Sequence, residues 1–375
     1  MKNKALFLFV VLSQFIFVNL SSAQLTLPVN PNRKIQIAIL LDNSGSMSGL
    51  LDQAKSTIWQ VVNSASKLTI DNEIPTLELA IYEYGDQPKQ YTNFTTDLDS
   101  ISEILFGIPV RGGDEYCGQI IQKAGNELSW TTDPKDLHII YIAGNEPFNQ
   151  GSIDYKTVIP QVCKKNIIVN TIFCGDYMEG VRTFWQDGAQ LCQGNYFNID
   201  SNAEAFHVDT PYDKEIIQWN DSLNTTYMGY GSYGLMREQK QVAEDEKNTT
   251  NGSSYMADRA ASKSKAYYKN DNWDLVDKKQ QDSTFVQKKL KDEELPAELK
   301  GKTQEEQKKI LDEKFEERKQ FQAKINDLTV KREAFIAEEK KKMAETNGKK
   351  DLGSSMVDAM NKKAISNGYK LIENK

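Results

Sequence analysis

The sequence is poor in the residues that build zinc centres and cysteine–histidine catalytic pairs. Its 375 residues include two histidines, His138 and His207, and four cysteines, none of them spaced as C-x-x-C. Protein zinc sites draw their ligands mainly from cysteine and histidine, usually at such short spacings. The composition therefore argues against a zinc centre and against a cysteine nucleophile activated by histidine.

The sequence also lacks a basic excess and a second long apolar run. Lys and Arg number 46 against 53 Asp and Glu, which gives a net charge of -7. No basic surface is then available to displace the counterions of a nucleic acid. After the first two dozen residues, no apolar stretch approaches the roughly 18 residues that a membrane-spanning helix needs. We therefore expect neither a nucleic-acid partner nor a membrane span in the mature chain.

The longest apolar stretch lies at the start of the chain. MKNK supplies positive charge, ALFLFVVLSQFIFVNL is apolar, and Ser21 and Ala23 are small residues suited to cleavage. This order is typical of a secretory signal peptide. Residues 1–23 are therefore expected to be removed, and the mature protein is expected in the periplasm, on the cell surface or outside the cell.

From about residue 33 to 205, strand-like and helix-like segments alternate. KIQIAILL and NIIVNTIFCG are continuous apolar runs, as expected of strands buried on both faces of a sheet. The predicted strands are 34–41, 77–84, 91–95, 136–144, 166–175 and 195–199, and the predicted helices are 50–68, 117–129, 155–165 and 180–193. This alternation predicts an α/β fold with a doubly wound, mostly parallel sheet of the Rossmann-like type.

The composition changes after this first domain. Residues 206–235 are polar and aromatic, and we expect them to form a connecting segment that packs on the first domain. Residues 236–375 are charged and are predicted to be largely helical, with a flexible break at NTTNGSS. The chain is thus predicted to combine an α/β domain with a mainly helical C-terminal region.

One helix of that region is predicted to begin near residue 303. Thr303 and Glu306 form the T-x-x-E pattern of a capping box. Phe321, Leu328 and Phe335 are seven residues apart and continue one apolar stripe over several turns. A stripe this thin on a charged helix suits either a coiled-coil seam or packing back onto the first domain. These residues leave both packings and the oligomeric state open.

The segment DNSGSMS directly follows the first predicted strand. Ligands of open parallel sheets bind beyond the carboxyl ends of the strands, so Asp42, Ser44 and Ser46 are expected to point at one spot, helped by a turn at Gly45. A carboxylate and two hydroxyls are hard oxygen ligands that suit Mg²⁺ or Mn²⁺, and Ca²⁺ less well. The alternative is an N-capping loop, in which Ser and Asp accept hydrogen bonds from free helix N–H groups.

DNSGSMS resembles the D-x-S-x-S signature of von Willebrand factor A domains, whose metal-ion-dependent adhesion site uses those three side chains. The β/α alternation is also similar to that family. The family completes its site with a Thr from a second loop and an Asp after the fourth strand. Here the second loop, RGGDEYCG, has Asp114 and Glu115 where the Thr is expected, and Glu115 is the better match. Asn145 holds the Asp position and Glu146 follows it.

The resemblance implies a metal site at the carboxyl edge of the sheet. Its implied ligands are Asp42, Ser44, Ser46, Glu115 and Asn145, with Asp114 and Glu146 as further candidates on the same face. A carboxylate gained in the second loop offsets the one lost after the fourth strand, so Mg²⁺, or Ca²⁺ or Mn²⁺, could still bind. The rival interpretation is a degenerate site without metal.

The resemblance also implies a way of binding. In the family, a carboxylate of a partner protein completes the coordination of the ion. We therefore expect a secreted, non-enzymatic module that binds a protein through an acidic side chain. The alternative is a structural or envelope scaffold without metal that acts through its C-terminal helices.

The cysteines can be related to the same face of the sheet. Cys117 belongs to the second loop and Cys174 ends a predicted strand, so both are expected near the metal site. The four cysteines allow three pairings. A Cys117–Cys174 disulfide that holds the second loop is the preferred prediction, and a Cys163–Cys192 bond is the alternative.

Overall fold

The computed structural model describes residues 27–47, 50–85, 88–109, 115–199, 208–285, 290–347 and 352–372. The predicted signal peptide, Asp114 and His207 lie outside these residues. The strands are β1 Val29–Asp42, β2 Leu68–Thr69, β3 Ile74–Tyr84, β4 Lys89–Thr95, β5 Leu137–Gly144, β6 Ile167–Cys174, β7 Tyr196–Ile199 and β8 Lys370–Leu371. The helices are α1 Leu50–Ala65, α2 Leu98–Gly107, α3 Cys117–Glu127, α4 Tyr155–Cys163, α5 Tyr177–Arg182, α6 Trp185–Gln190, α7 Asp213–Asn224, α8 Gly231–Asn251, α9 Ser253–Lys263, α10 Leu275–Gln281, α11 Gln304–Asn347 and α12 Leu352–Ser366.

The central sheet has six strands in the order β4-β3-β1-β5-β6-β7. β4 runs antiparallel to β3, and the other neighbouring pairs are parallel. Side chains of β1 alternate between two buried clusters, with Ile37 and Ile39 on one face and Ala38 and Leu40 on the other. This explains the uninterrupted apolar run in the sequence, and the predicted doubly wound, mostly parallel sheet is confirmed.

The predicted strands and helices of the first domain are found, with three differences. The helix expected at 50–68 ends at Ala65, and Leu68 belongs to the short strand β2. The helix expected at 180–193 is divided into α5 and α6 at Phe184, whose φ of 72° lies in the left-handed region. The short helix α2 was not predicted; it begins after Asp97, whose side chain accepts a hydrogen bond from the backbone N–H of Ser100 at 3.0 Å. This N-cap satisfies one of the free N–H groups at the start of the helix.

The C-terminal helices share the core of the sheet domain. α9 and α12 lie against α1, and α11 lies against α7, α9 and α10. Ile325 of α11 and Met356 of α12 belong to the same buried cluster as Ile37 of β1. β8, near the end of the chain, pairs antiparallel with β2. The flexible break expected at NTTNGSS is largely helical: α8 continues to Asn251 and α9 begins at Ser253, with Gly252, whose φ of 134° favours glycine, between them.

The long helix α11 begins as its capping box predicts. The backbone N–H of Thr303 donates to Glu306 Oε2 at 2.8 Å, and the N–H of Glu306 donates to Thr303 Oγ1 at 3.3 Å. The apolar stripe packs within the chain, where Leu328 is buried and Phe321 contacts the ring of Trp219 at 5.8 Å between centroids. No helix within the described ranges is long and apolar enough to cross a bilayer.

Buried ion pairs join distant parts of the chain. Arg259 of α9 donates to Asp99 of α2 at 2.9 Å and to Asp245 of α8 at 2.6 Å. Lys263 also donates to Asp245, at 2.7 Å. Because a buried charge without a partner is costly, these contacts fix the helices of the C-terminal region against α2.

Candidate metal site at the carboxyl edge of the sheet

Asp42 occupies the point where the strand order of the sheet reverses. It is the last residue of β1, which lies between β3 and β5, and its register partner in β3 is Tyr84. Open α/β sheets bind ligands beyond the carboxyl ends of the strands at this point. At the end of β5, a Cβ on Gly144 would lie 2.4 Å from the Tyr84 hydroxyl and 3.3 Å from the Asp42 Cβ. A glycine is therefore required for the close packing beside Asp42.

The loop after β1 folds back on the Asp42 carboxylate. The backbone N–H of Ser44 donates to Asp42 Oδ1 at 2.7 Å, and the Ser44 hydroxyl donates to Oδ2 at 3.0 Å. A short 3-10 turn, Gly45–Met47, follows, and Met47 is fully buried beneath it. Ser46 lies in this turn, but its side chain is outside the described atoms. The predicted convergence of Ser44 on Asp42 is therefore found, as an Asx-type turn.

Glu115 brings a second carboxyl group to Asp42. Asp42 and Glu115 are both buried, at 0% and 1% exposure. Burial, followed by the contact with Glu115, raises the pKa of Asp42 to about 8, and the hydrogen bonds from Ser44 oppose this rise. Glu115 Oε2 accepts a hydrogen bond from the backbone N–H of Glu146 at 3.3 Å, whereas Oε1 has no hydrogen-bond partner among the described residues. A buried carboxylate oxygen without a donor is an acceptor available for a cation or a shared proton.

The other predicted ligands follow β5. Asn145 is partly buried in the turn after Gly144. Glu146 is exposed; its side chain accepts a hydrogen bond from Gln150 Nε2 at 3.2 Å, and its backbone N–H donates to Glu115. The described residues contain no group of three or more His, Cys, Asp or Glu side chains placed to hold a metal ion. Any cation here would depend on two carboxylates supplemented by hydroxyl and amide oxygens.

Three supporting residues were missed in the sequence. The Tyr84 hydroxyl donates to the Ala143 carbonyl at 2.9 Å, and Trp185 Nε1 donates to the Glu146 carbonyl at 2.8 Å. The Gln150 side chain accepts from the Glu115 N–H at 3.3 Å. Tyr84 is the last residue of β3, the strand next to β1, so the order of the strands could have placed it beside Asp42. No local pattern marks Trp185 or Gln150, which reach the site through tertiary packing.

The preferred disulfide prediction is wrong. Cys163 and Cys192 are bonded, with 5.5 Å between their Cα atoms, and Cys117 and Cys174 are free. Cys117 packs in the cluster on one face of the sheet, beside Tyr84, whereas Cys174 packs in the cluster on the other face. Both cysteines lie near the same rim of the sheet, but side chains alternate between the two faces along β6, and this alternation turns Cys174 away from Cys117.

Comparison with known proteins gives one family. Residues 37–143 match the family described as the von Willebrand factor type A domain. No curated protein matches the sequence. The matched residues run from β1 to β5 and include Asp42, Ser44 and Glu115.

Solved structures with similar folds cover somewhat less than half of this chain. BatB from Bacteroides thetaiotaomicron is 18% identical, with 44% of this chain and 90% of that chain covered and a TM-score of 0.36. The VWA domain of SpRpn10 is 19% identical, with 45% and 89% covered and a TM-score of 0.36. Proximal thread matrix protein 1 from the mussel byssus, with a zinc-occupied MIDAS motif, is 15% identical, with 45% and 42% covered and a TM-score of 0.36.

Proposed function

Because the chain contains a von Willebrand factor type A domain at residues 37–143, we propose that it is an exported protein-binding module whose binding depends on a divalent cation. The domain supports a role in protein interaction or adhesion. The finer proposal is that Asp42, Ser44 and Glu115 hold Mg²⁺, Mn²⁺ or Ca²⁺, with Ser46 and Asn145 as the remaining candidate ligands. An acidic side chain of the partner protein then completes the coordination of the ion.

The observation that carries this proposal is the contact between two buried carboxyl groups. Two carboxylates that share a buried site cannot both stay ionised without a compensating positive charge. Asp42 and Glu115 have no Lys or Arg in direct contact among the described residues. A divalent cation would compensate both charges and contact Glu115 Oε1, which has no hydrogen-bond partner in the part of the chain that the structure describes. Carboxylate and hydroxyl oxygens are the ligands that Mg²⁺ and Ca²⁺ prefer.

The chemistry of this site favours binding over catalysis, and we propose that the protein is not an enzyme. The cation would supply a positive charge with incomplete protein coordination, which attracts an external carboxylate. The chain's own residues hold that position: Ser44 orients Asp42, and the Glu146 backbone orients Glu115. His138 is the second residue of β5 and lies at the opposite edge of the sheet, too far to act as a base.

Export is supported by the disulfide between Cys163 and Cys192. Disulfides persist in oxidising compartments such as the bacterial periplasm and the extracellular space. Together with the basic and apolar start of the sequence, this bond supports the proposed location in the periplasm, on the cell surface or outside the cell.

Capture of partner proteins with and without the cation tests the proposal. The immobilised mature chain is exposed to envelope and secreted proteins of its native organism in Mg²⁺, in EDTA, and in EDTA followed by excess Mg²⁺. We expect partners to be captured in Mg²⁺, released by EDTA and recaptured on adding Mg²⁺, and to be lost with Asp42→Asn. Asp176→Asn is the matched control, since Asp176 is exposed just after β6 at the same edge and asparagine can also cap α5.

Two results would contradict the proposal. One is capture of the same proteins in EDTA, and the other is equal capture by the Asp42→Asn variant. Either would mean that partner binding does not depend on a cation held at Asp42. The domain would then act as a scaffold, and binding would be assigned to the C-terminal helices.

A further inference from the structure

A cavity of about 540 Å³ lies between the sheet domain and the C-terminal helices. Its walls come from the second half of α1, from α9, from α11 and from the start of α12. α1 begins after the Asp42 loop and runs antiparallel to β1, so its last turns lie toward the amino ends of the strands. The cavity is therefore separate from the candidate metal site. Its volume is in the range of small-molecule sites in proteins.

The cations that line this cavity are not equally neutralised. Arg332 donates to Asp213 at 2.7 Å and to Asp258 at 2.6 Å, and Lys67 donates to both oxygens of Glu333 at 2.7 Å. These carboxylates are therefore already occupied by cations.

Lys265 differs from Lys67 and Arg332 in the cavity wall. Its ammonium group donates to the neutral amide oxygen of Asn326 at 2.7 Å, and it forms no ion pair with any described carboxylate. The same amide oxygen accepts a hydrogen bond from the Ser264 hydroxyl at 2.8 Å. Because the Asn326 oxygen is neutral and is shared with Ser264, it does not neutralise the partly buried Lys265 ammonium group. A positive charge therefore faces the cavity.

The rest of the wall is partly apolar. Ile336 and Ala337 of α11, Val357 of α12, Ala261 of α9 and Val208 all line the cavity, beside neutral polar groups of α1 such as Asn63 and Ser64. A ligand that fits both parts needs a charged end and an apolar body. A bare inorganic anion would leave the apolar wall uncovered, and a cationic ligand would meet only carboxylates that are already paired.

We propose that this cavity binds a small organic carboxylate, whose charged group pairs with Lys265 and whose apolar part lies against Ile336, Ala337 and Val357. The ammonium group of Lys265, which pairs with no described carboxylate, matches one negative charge, which favours a monocarboxylate over a phosphate. Ser264 and Asn326 hold the Lys265 side chain in position. The ligand would bridge α9 and α11 to α12, so its binding should also stabilise the packing of the C-terminal helices on α1.

Calorimetric titration of the full mature chain tests this proposal with four probes at equal ionic strength. The probes are hexanoate, hexanol, hexylamine and inorganic phosphate. We expect hexanoate to bind. Hexanol should bind with an affinity at least about tenfold lower, because it lacks the charge, and hexylamine and phosphate should not bind. Absence of hexanoate binding, or equal binding of phosphate or hexylamine, would overturn the proposal.

Substitution of the lysine separates a specific site from general apolar binding. Lys265→Gln and Lys265→Met should each weaken hexanoate binding about tenfold or more and leave hexanol binding unchanged. Lys269→Gln is the matched control, because Lys269 is exposed four residues further along the same segment. Unchanged hexanoate affinity in either Lys265 variant would overturn the assignment.

The pH dependence of the wild-type chain gives a test that needs no variant. Burial lowers the pKa of Lys265 to about 8, with Glu333 and Lys67 acting in opposite directions. The charged groups that face it are Lys67 after α1, Asp258 of α9, and Arg332, Glu333 and Lys340 of α11. Hexanoate affinity should therefore fall as the pH rises through about 8, and affinity that is constant from pH 6.5 to 9.5 would count against Lys265 as the partner.

Discussion

Replacing Arg259 by methionine tests whether the sheet domain and the C-terminal helices unfold as one unit. The guanidinium group donates to Asp245 at 2.6 Å, to Asp99 at 2.9 Å and to the Gln241 carbonyl at 3.2 Å. Arg259 and Asp99 have side-chain exposures of 2% and 1%. Methionine fills much of the volume of the arginine side chain but donates no hydrogen bond. The substitution therefore removes the cation while keeping most of the packing.

The expected loss in the free energy of unfolding depends on which hydrogen-bond and ion-pair partners each carboxylate keeps. Asp245 keeps the ammonium group of Lys263 at 2.7 Å, so it remains paired. Asp99 keeps the Tyr268 hydroxyl at 2.9 Å but no cation in direct contact among the described residues. Removing one partner of a buried ion pair costs about 3–5 kcal/mol, because the other charge stays buried without compensation. We expect Arg259→Met to lower the free energy of unfolding by that amount.

Urea denaturation followed by tryptophan fluorescence and circular dichroism measures this loss. We expect one transition for both probes, moved to a lower urea concentration in Arg259→Met. Adding Asp99→Asn to that variant should recover part of the loss, because the uncompensated charge is gone. Lys269→Met, a substitution of an exposed lysine, should stay within about 0.5 kcal/mol of wild type. A loss below about 1 kcal/mol, or no recovery in the double variant, would contradict an uncompensated charge on Asp99.

Three further predictions concern the disulfide, the carboxyl pair and the cavity lysine. Reducing Cys163–Cys192, whose cysteines are 29 residues apart, should lower the free energy of unfolding by about 3–4 kcal/mol in urea titrations; an unchanged midpoint would contradict this. Glu115→Gln should raise the melting temperature of the metal-free chain by removing the charge next to Asp42, while Glu127→Gln, an exposed control, should not. Because the folded pKa of Lys265 is lowered to about 8 from 10.5, stability should rise with pH between these values in wild type, and this rise should be smaller in Lys265→Gln.

Much of the sheet domain was predictable because its signals are local. The run KIQIAILL is buried on both faces of the sheet, and a parallel strand with both faces covered needs such a run. Asp42 could be placed at the binding edge because it directly follows that run. α2 was hidden because its sequence, LDSISEILFG, is short and follows a polar turn. Its N-cap at Asp97 was the available signal.

In the candidate site, only the residues at the ends of strands and in the loops that follow them were predictable from the sequence. Glu115 was identified by its loop, and the structure brings it to Asp42. Cys174 was assigned to the wrong side because alternation along a strand decides the face, while position at the rim does not. The contact between Asp99 and Arg259 joins residues that are 160 positions apart in the sequence, and no local sequence pattern indicates it. Pairing of charges over such separations depends on tertiary packing.

The packing partner of α11 could not be predicted from its sequence. Its apolar stripe was compatible with two partners, and the sequence alone gave no reason to choose between them. The structure packs Ile325 and Leu328 within the chain, against helices whose positions depend on the rest of the fold. A thin stripe therefore predicts that a helix has a partner, but does not predict which one.

Direct titration of the metal-free mature chain with Mg²⁺ and Mn²⁺ tests the central claim, that Asp42 and Glu115 meet to hold a cation. Calorimetry of wild type, Asp42→Asn and the control Asp176→Asn provides the comparison. We expect one bound cation per chain in wild type and in the control, with affinity reduced about tenfold or more in Asp42→Asn. No binding to wild type, or equal binding to Asp42→Asn, would contradict it.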